Sequence, residues 1–293
     1  MSKILSFGEI IWDVFPDGES VIGGAPLNFA AHAVKCGAKS YLFSAVGEDA
    51  LGEKAIHALQ NLGVETDLIG KNRLPTGRCT VTLQNGSPSY EVCRPAAYDA
   101  IPFSQDAVDF INQKGFDAFC FGTLAAREPV SRQALQRILK SYPFSTVFCD
   151  INLRPHCYDE GSVKLCFENA KILKISEEEE PLLHAFPFYR ALCPNGLEKQ
   201  VNTLFDTYSN LDLILYTKGE NGATVYEKSG TCVEIPPVKT QVISTVGAGD
   251  SFGASFLTAY LGGTSIADAG ALAARISAFV VSQKEAVPDY PNT

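Results

Sequence analysis

The run STVGAGDSFGASFLTAYL (244–261) sets two glycines and one carboxylate at the start of an apolar helical stretch. Gly247 and Gly249 allow backbone conformations that side chains forbid. The N–H groups that follow them can converge where the helix begins. Free N–H groups at a helix N-terminus attract an anion, typically a phosphate. Asp250 would repel that anion unless it handles a proton. Phosphoryl transfer uses such a pairing: an acid accepts the proton of the attacking hydroxyl while N–H groups hold the charge of the transferred group. The same residues also fit a plainer role, a glycine-rich turn with Asp250 as helix cap.

A second run, VIGGAPLNFAA (21–31), again places glycines ahead of a helix. Gly23 and Gly24 permit close approach to the backbone. Asn28, on the first turns, both donates and accepts hydrogen bonds, which suits a polyol. Asp13 lies upstream, and its two acceptor oxygens suit vicinal hydroxyls. Taken singly, each run is also what an ordinary capped helix presents.

The elements that must position these groups alternate along the chain. KILSFGEII, SYLFSAVG, FDAFCFG, STVFCDINL, AKILKIS and LDLILYTKG read as strands, mostly continuous in apolar residues, the pattern of strands covered on both faces. Between them lie helical patterns. APLNFAAHAVKCG has Pro26 near its first turn and Gly37 past its end; DALGEKAIHALQNLG has Asp49 as cap and Gly63 as stop; PVSRQALQRILKSY follows later. A mainly parallel sheet with helices on both faces follows. Two stretches break the rhythm. Residues 76–99 alternate polar and apolar around Asn85-Gly86, a tight-turn dipeptide, and IIWDVFPDGESVIGGAP reads as strand and turn. They predict a small sheet beside the main body, serving as a lid or an interface. The acidic run SEEEE (176–180) reads as the charged first turn of a helix.

Composition narrows the function classes. The chain has 293 residues, 46% of them hydrophobic, enough for a large core. Its formal net charge of −9, without a basic cluster, argues against nucleic acid and anionic membrane as partners. No apolar run approaches the roughly 18 residues of a membrane span, and the N-terminus lacks a signal-peptide pattern. Nine scattered cysteines without a C-x-x-C motif suit a reduced, cytoplasmic protein. The four histidines are far apart and form no H-E-x-x-H, so no transition-metal site is expected.

Together the two glycine-rich runs resemble the signatures of the PfkB (ribokinase-like) family of carbohydrate kinases: GGAPLNFAAHAVKCG toward the N-terminus and STVGAGDSFGASF toward the C-terminus, in the family's order and spacing. Between them TKGENG (217–222) is similar to the family's nucleotide-binding turn. The likeness extends over nearly the whole chain. Within the family the chain is most similar to bacterial fructokinases, on GEIIWDVFP, PTGRCTVTL, FGTLAAREPVSR, and DINLRPHCY followed by AKILKISEEE. Ile151 stands at the second position of the subgroup's D-P-N-L-R.

The resemblance implies one ribokinase-like kinase domain over 1–293, with a β-lid formed by roughly 11–22 and 74–100 that closes over the sugar and excludes water. It implies Asp250 as catalytic base and Gly247, Ala248 and Gly249 as the anion hole. Asp13, Gly24 with its neighbour Gly23, and Asn28 would hold the sugar. Thr217, Gly219 and Gly222 would line the nucleotide site, and Arg154 would meet phosphate or substrate through its planar fork of donors. ATP and Mg²⁺ are the implied cofactors. The family's N-x-x-E motif, which acts near magnesium, begins here with Ser176 and ends on Glu179, with Glu177 and Glu178 beside it. Ser244 replaces the aspartate that opens the C-terminal signature, which takes one carboxylate from the family's K⁺ site and leaves backbone carbonyls as ligands.

Other phosphate-binding classes lack their marks: there is no G-x-x-x-x-G-K-[ST], no H-R-D with D-F-G, and no G-x-G-x-x-G after the first strand. A sugar or nucleotide sensor on the same fold remains a reading, separated from a kinase by whether nucleotide is consumed. Free fructose is the expected substrate and 2-keto-3-deoxygluconate the alternative, with nucleosides behind both. A phosphorylated sugar would call for extra Lys or Arg near Asp13, Gly24 and Asn28; Arg78 and Arg94, in the expected lid, bear on this through their orientation. Unpaired lid edges suggest a homodimer.

Overall fold

The computed structural model describes residues 1–84 and 87–291, with the backbone alone over 81–90. Its strands are β1 (Lys3–Phe7), β2 (Ile11–Val14), β3 (Ser20–Gly23), β4 (Lys39–Gly47), β5 (Ile69–Asn72), β6 (Gly77–Gln84), β7 (Ser87–Val92), β8 (Ala118–Gly122), β9 (Thr146–Asp150), β10 (Ile172–Ser176), β11 (Leu213–Thr217), β12 (Ala223–Glu227) and β13 (Cys232–Ile235). Its helices are α1 (Ala25–Lys35), α2 (Ala50–Asn61), α3 (Gln105–Lys114), α4 (Pro129–Ser141), α5 (Glu160–Asn169), α6 (Glu180–Leu183), α7 (Pro187–Leu192), α8 (Leu197–Thr207), α9 (Ala248–Leu261) and α10 (Ile266–Val281).

Alternate residues of the central strands enter opposite cores, as the period of two requires. In β1 and β8, Leu5, Phe7, Phe119 and Phe121 face the helices α3–α5 and α8, whereas Ile4, Ala118 and Cys120 face α1, α9 and α10. The large sheet runs β13-β12-β11-β10-β9-β8-β1-β4-β5. It is parallel from β11 through β5, and β12 and β13 add an antiparallel edge that the sequence reading had not drawn. The fold is α/β, a large, mostly parallel sheet with a small separate sheet, as expected. No described helix is long and apolar enough to cross a membrane.

The small sheet runs β3-β2-β6-β7. KILSFGEII is therefore not one strand: β1 ends at Phe7, residues 8–10 leave the large sheet, and Ile11 opens β2 of the small sheet. The expected hairpin is β6 and β7, while its Asn85-Gly86 turn lies outside the described residues. Cys93 N–H still donates to Arg78 O on β6, but residues 94–100 leave the small sheet. Ala96, Ala97 and Tyr98 are buried in the main core, and Asn72 at the end of β5 donates from Nδ2 to Ala97 O and Ala100 O, so this stretch returns to the large sheet.

The crossing of α1 and α9 sets the site. Gly253 lets the two helices and β9 close up: a Cβ there would lie 3.0 Å from Phe148 and 3.2 Å from Phe29. Those two rings pack 5.3 Å apart. One turn back toward the start of α9, the same crossing brings Asp250 to Asn28.

Candidate active site

Helix α9 starts at the carboxyl end of the parallel strands, where open α/β sheets place ligands. Gly247 caps it in the left-handed region (φ 83°). A Cβ at that position would stand 2.4 Å from the Ala286 carbonyl oxygen, so a side chain is excluded on two counts. Asp250 is the third helical residue, not the cap, and its carboxylate makes no capping bond. It instead accepts a hydrogen bond from Asn28 Nδ2 at 2.8 Å. Burial pushes its carboxyl up to about 6; the Asn28 bond opposes this and Asp150 adds to it. Asn28 Oδ1 is buried with no partner among the described residues. It is a ready acceptor for a hydroxyl brought to Asp250.

Beneath this pair lies a group of buried charges. Lys174 Nζ donates to both oxygens of Asp150, at 2.9 and 2.8 Å. The two residues face each other across β9 and β10. Burial works against the ammonium, but Asp150, Glu179 and Asp250 outweigh it and hold Lys174 above its usual range. A Cβ on Gly249 would lie 3.1 Å from Nζ, so the ammonium underlies the first turn of α9. Glu179 spends its two oxygens on backbone: Leu153 N and Ser176 N, each at 2.8 Å. Glu9 accepts from Ala25 N at 3.2 Å, and burial pushes its carboxyl up to about 7. Glu9, Asp150 and Asp250 share a cavity of about 30 Å³ with Phe29, Thr123 and Asn152.

The proposed sugar residues surround the cleft's other wall. Asp13 sits on β2, partly buried; burial raises its carboxyl, opposed by Arg154 and by Cys79. A Cβ on Gly23 would be 3.8 Å from Asp13 Oδ2. Gly24 takes φ 114° with the Glu9 carbonyl so close that a Cβ would meet it at 2.5 Å. Arg154 is exposed, its charge acts on both Asp13 and Asp250, and it has no salt-bridge partner among the described residues. Arg78 and Arg94 are turned elsewhere. Arg78 stands opposite Trp12, one residue off the Asp13–Cys79 pair, and so shares the other face of the small sheet. Arg94 donates to the His156 carbonyl beside Glu128. Arg127 is buried and committed to Asp99 through Nε and Nη2, at 2.9 and 3.0 Å.

Thr217, Gly219 and Gly222 form the β11–β12 turn, closed by Lys218 N–H donating to Gly222 O at 2.8 Å. Ser176 pairs in register with Thr217, so this turn abuts the end of β10. The run 176–180 is not the first turn of a helix. Ser176 ends β10, Glu177 N–H donates to Thr217 O, and α6 starts only at Glu180. The Glu179 bonds to Leu153 and Ser176 hold the chain in a tight turn instead. Ser244 N–H donates to Val281 O, and its hydroxyl oxygen accepts from Val246 N–H.

Three groups escaped the sequence reading: Glu9, Asp150 and Lys174. For Asp150 and Lys174 the one signal was a charge inside a mostly apolar strand run, STVFCDINL and AKILKIS, where burial demands a partner; Glu9 falls between two strands and had none.

A family model described as pfkB family carbohydrate kinase matches residues 2–293. A probable fructokinase-5 of Arabidopsis thaliana is 28% identical, covering 98% of this chain and 94% of its own. A 5-dehydro-2-deoxygluconokinase of Lacticaseibacillus casei is 27% identical, covering 92% and 83%. The crystal structure of an uncharacterized sugar kinase of Pyrococcus horikoshii in complex with ATP superposes with a TM-score of 0.78 at 26% identity, covering 97% and 94%.

Proposed function

The chain belongs to the pfkB family of carbohydrate kinases, and we propose that within it the protein transfers the γ-phosphoryl group of ATP to a hydroxyl of a free ketohexose, fructose first. One observation carries the reading: Asn28 donates to Asp250 and leaves its own buried Oδ1 empty, beside a helix N-terminus whose turn is shaped by Gly247. A hydroxyl there donates its proton to Asp250 as it attacks. The N–H groups of Gly247 and Gly249 take the charge that builds on the transferred group, and Ala248 N–H, which donates to Thr245 O over a long 3.3 Å, joins them by giving up that bond. Asp13, Gly23, Gly24 and Asn28 hold the sugar, and Thr217, Gly219 and Gly222 border the nucleotide. The small sheet acts as the lid, covering the sugar so that water does not compete for the phosphoryl group.

Mg²⁺ bound with the nucleotide would neutralise phosphate charge, the phosphates supplying most of its ligands. Glu179 would contribute its negative charge there and not a free oxygen, since both its oxygens accept backbone N–H groups. Ser244 brings no carboxylate to a K⁺ site, so any activation by K⁺ runs through backbone carbonyls. The unpaired edges β3 and β7 make the small sheet a surface for a homodimer. Nine unpaired thiols suit a reducing compartment such as the cytoplasm.

A phosphorylated sugar fits poorly, because Arg78, Arg94 and Arg127 are all directed or committed elsewhere. Arg154 supports a second reading. Exposed and without an acidic partner among the described residues, it suits the carboxylate of a keto acid such as 2-keto-3-deoxygluconate. The test is ADP release with ATP and Mg²⁺ over fructose, ribose, glucose, 2-keto-3-deoxygluconate, adenosine and fructose 6-phosphate, with and without K⁺. Turnover confined to fructose supports the first reading; turnover confined to the keto acid replaces it with the second. Binding of sugar and ATP without turnover of any substrate makes the chain a sensor.

A further inference from the structure

A lysine buried in the middle of a sheet needs a reason. Lys174 is 4% exposed, and the Asp150 oxygens are its sole hydrogen-bond acceptors among the described residues. Two of its three N–H groups are therefore used. A buried ion pair is seldom retained for stability, since apolar residues of similar volume often do as well or better. The placement is more telling than the pairing. Nζ lies against Gly249, within the first turn of α9, bonded to Asp150 and acted on by the charges of Glu179 and Asp250. Without the ammonium these acids would present an uncompensated negative field to any phosphate at the helix start. The helix N-terminus supplies only a partial charge of about half a unit.

We propose that Lys174, held by Asp150 beneath Gly249, supplies the fixed positive charge of the phosphoryl-transfer site. It acts through space on the group seated at the α9 turn, and Asp150 keeps it there. The inference rests on the reading of Gly247–Gly249 as the phosphoryl-binding turn. Its effect is greatest when charge accumulates during transfer, so it should appear in kcat and not in sugar affinity.

The test uses the full chain and a shape-preserving double variant, Lys174→Gln with Asp150→Asn, which removes both charges and leaves an amide pair in their place. Expected is a fall in kcat of about 100-fold, the scale for losing one fixed donor of an anion hole. The sugar KM and the thermal midpoint should stay near wild type. Lys174→Arg, which keeps the cation, should retain most of kcat. A double variant within about threefold of wild-type kcat, on a scale where one donor is worth 100-fold, overturns the proposal. Should the double variant not fold, wild-type enzyme crystallised with sugar, Mg²⁺, ADP and aluminium fluoride decides. The proposal requires Nζ within about 5 Å of the fluoride group, where a buried charge acts strongly. A fluoride group at the α9 turn but beyond about 8 Å from Nζ refutes Lys174 alone, since Coulomb attraction has by then weakened and is screened. A fluoride group bound away from that turn refutes the site reading as well.

Discussion

Glu9→Gln should make the protein more stable at alkaline pH and change how stability responds to pH. Glu9 is 4% exposed and accepts from the backbone N–H of Ala25. Burial, reinforced by the Asp250 charge, pushes its carboxyl from 4.5 to about 7. The unfolded chain therefore releases this proton before the folded chain does. The stabilisation is complete below pH 4.5 and is lost as pH rises through about 7. At about 1.4 kcal/mol per tenfold, the full loss is about 3 kcal/mol, of which about 2–3 kcal/mol falls between pH 5 and 8. Glutamine keeps an acceptor for Ala25 and cannot ionise. Urea denaturation of both proteins at the two pH values reads the effect. The stability of the variant relative to wild type should rise by about 2–3 kcal/mol from the lower pH to the higher. Asp250 is present in both proteins and largely cancels in that comparison. A relative stability that stays constant with pH, or falls, would show that Glu9 is ionised in the folded protein and would refute the reasoning.

Four further outcomes follow from the site. Asp250→Asn should lower kcat by about a thousandfold, within the range for a general base, while isothermal titration finds sugar and nucleotide affinities within a few-fold. The wild-type kcat/KM should rise with pH through about 6, because the base acts ionised and burial sets it there; a flat profile from pH 5 to 7 would place the base elsewhere. Arg154→Met should move that limb to higher pH, since the guanidinium favours the ionised forms of both Asp250 and Asp13. Tyr290→Phe should cost about 1–2 kcal/mol in thermal denaturation, because its hydroxyl meets buried His32 Nδ1 at 2.7 Å; an unchanged midpoint would mean that water replaces it.

Much of the site was legible in one dimension because its parts lie at the starts of two helices. The glycines before Asn28 and Asp250 mark where backbone must bend, and the residue types that follow are those phosphoryl transfer uses. Continuous apolar runs likewise announced strands covered on both faces. Legibility failed where local pattern and tertiary context disagree. KILSFGEII reads as one strand because nearly every residue but Gly8 and Glu9 is strand-like, yet the chain crosses from one sheet to another over residues 8–10. Residues 94–100 alternate like their hairpin neighbours but return to the main core through Tyr98. The acidic run 176–180 has the composition of a helix start, and Glu179 turns it into a loop by binding two backbone N–H groups instead.

By itself, then, the sequence determined the layers and the two helix-start motifs, with Asp250 standing in one of them as the candidate base, because each depends on residues within a turn or two of one another. Which charges face that base was decided by tertiary structure alone. Asn28 and Asp250 are 222 residues apart and meet through the α1–α9 crossing that Gly253 permits. Lys174 and Asp150, 24 residues apart, meet because adjacent parallel strands put them in register. The charge state of a carboxylate depends on its burial and on every charge that the fold brings close, and neither quantity exists until the chain is packed.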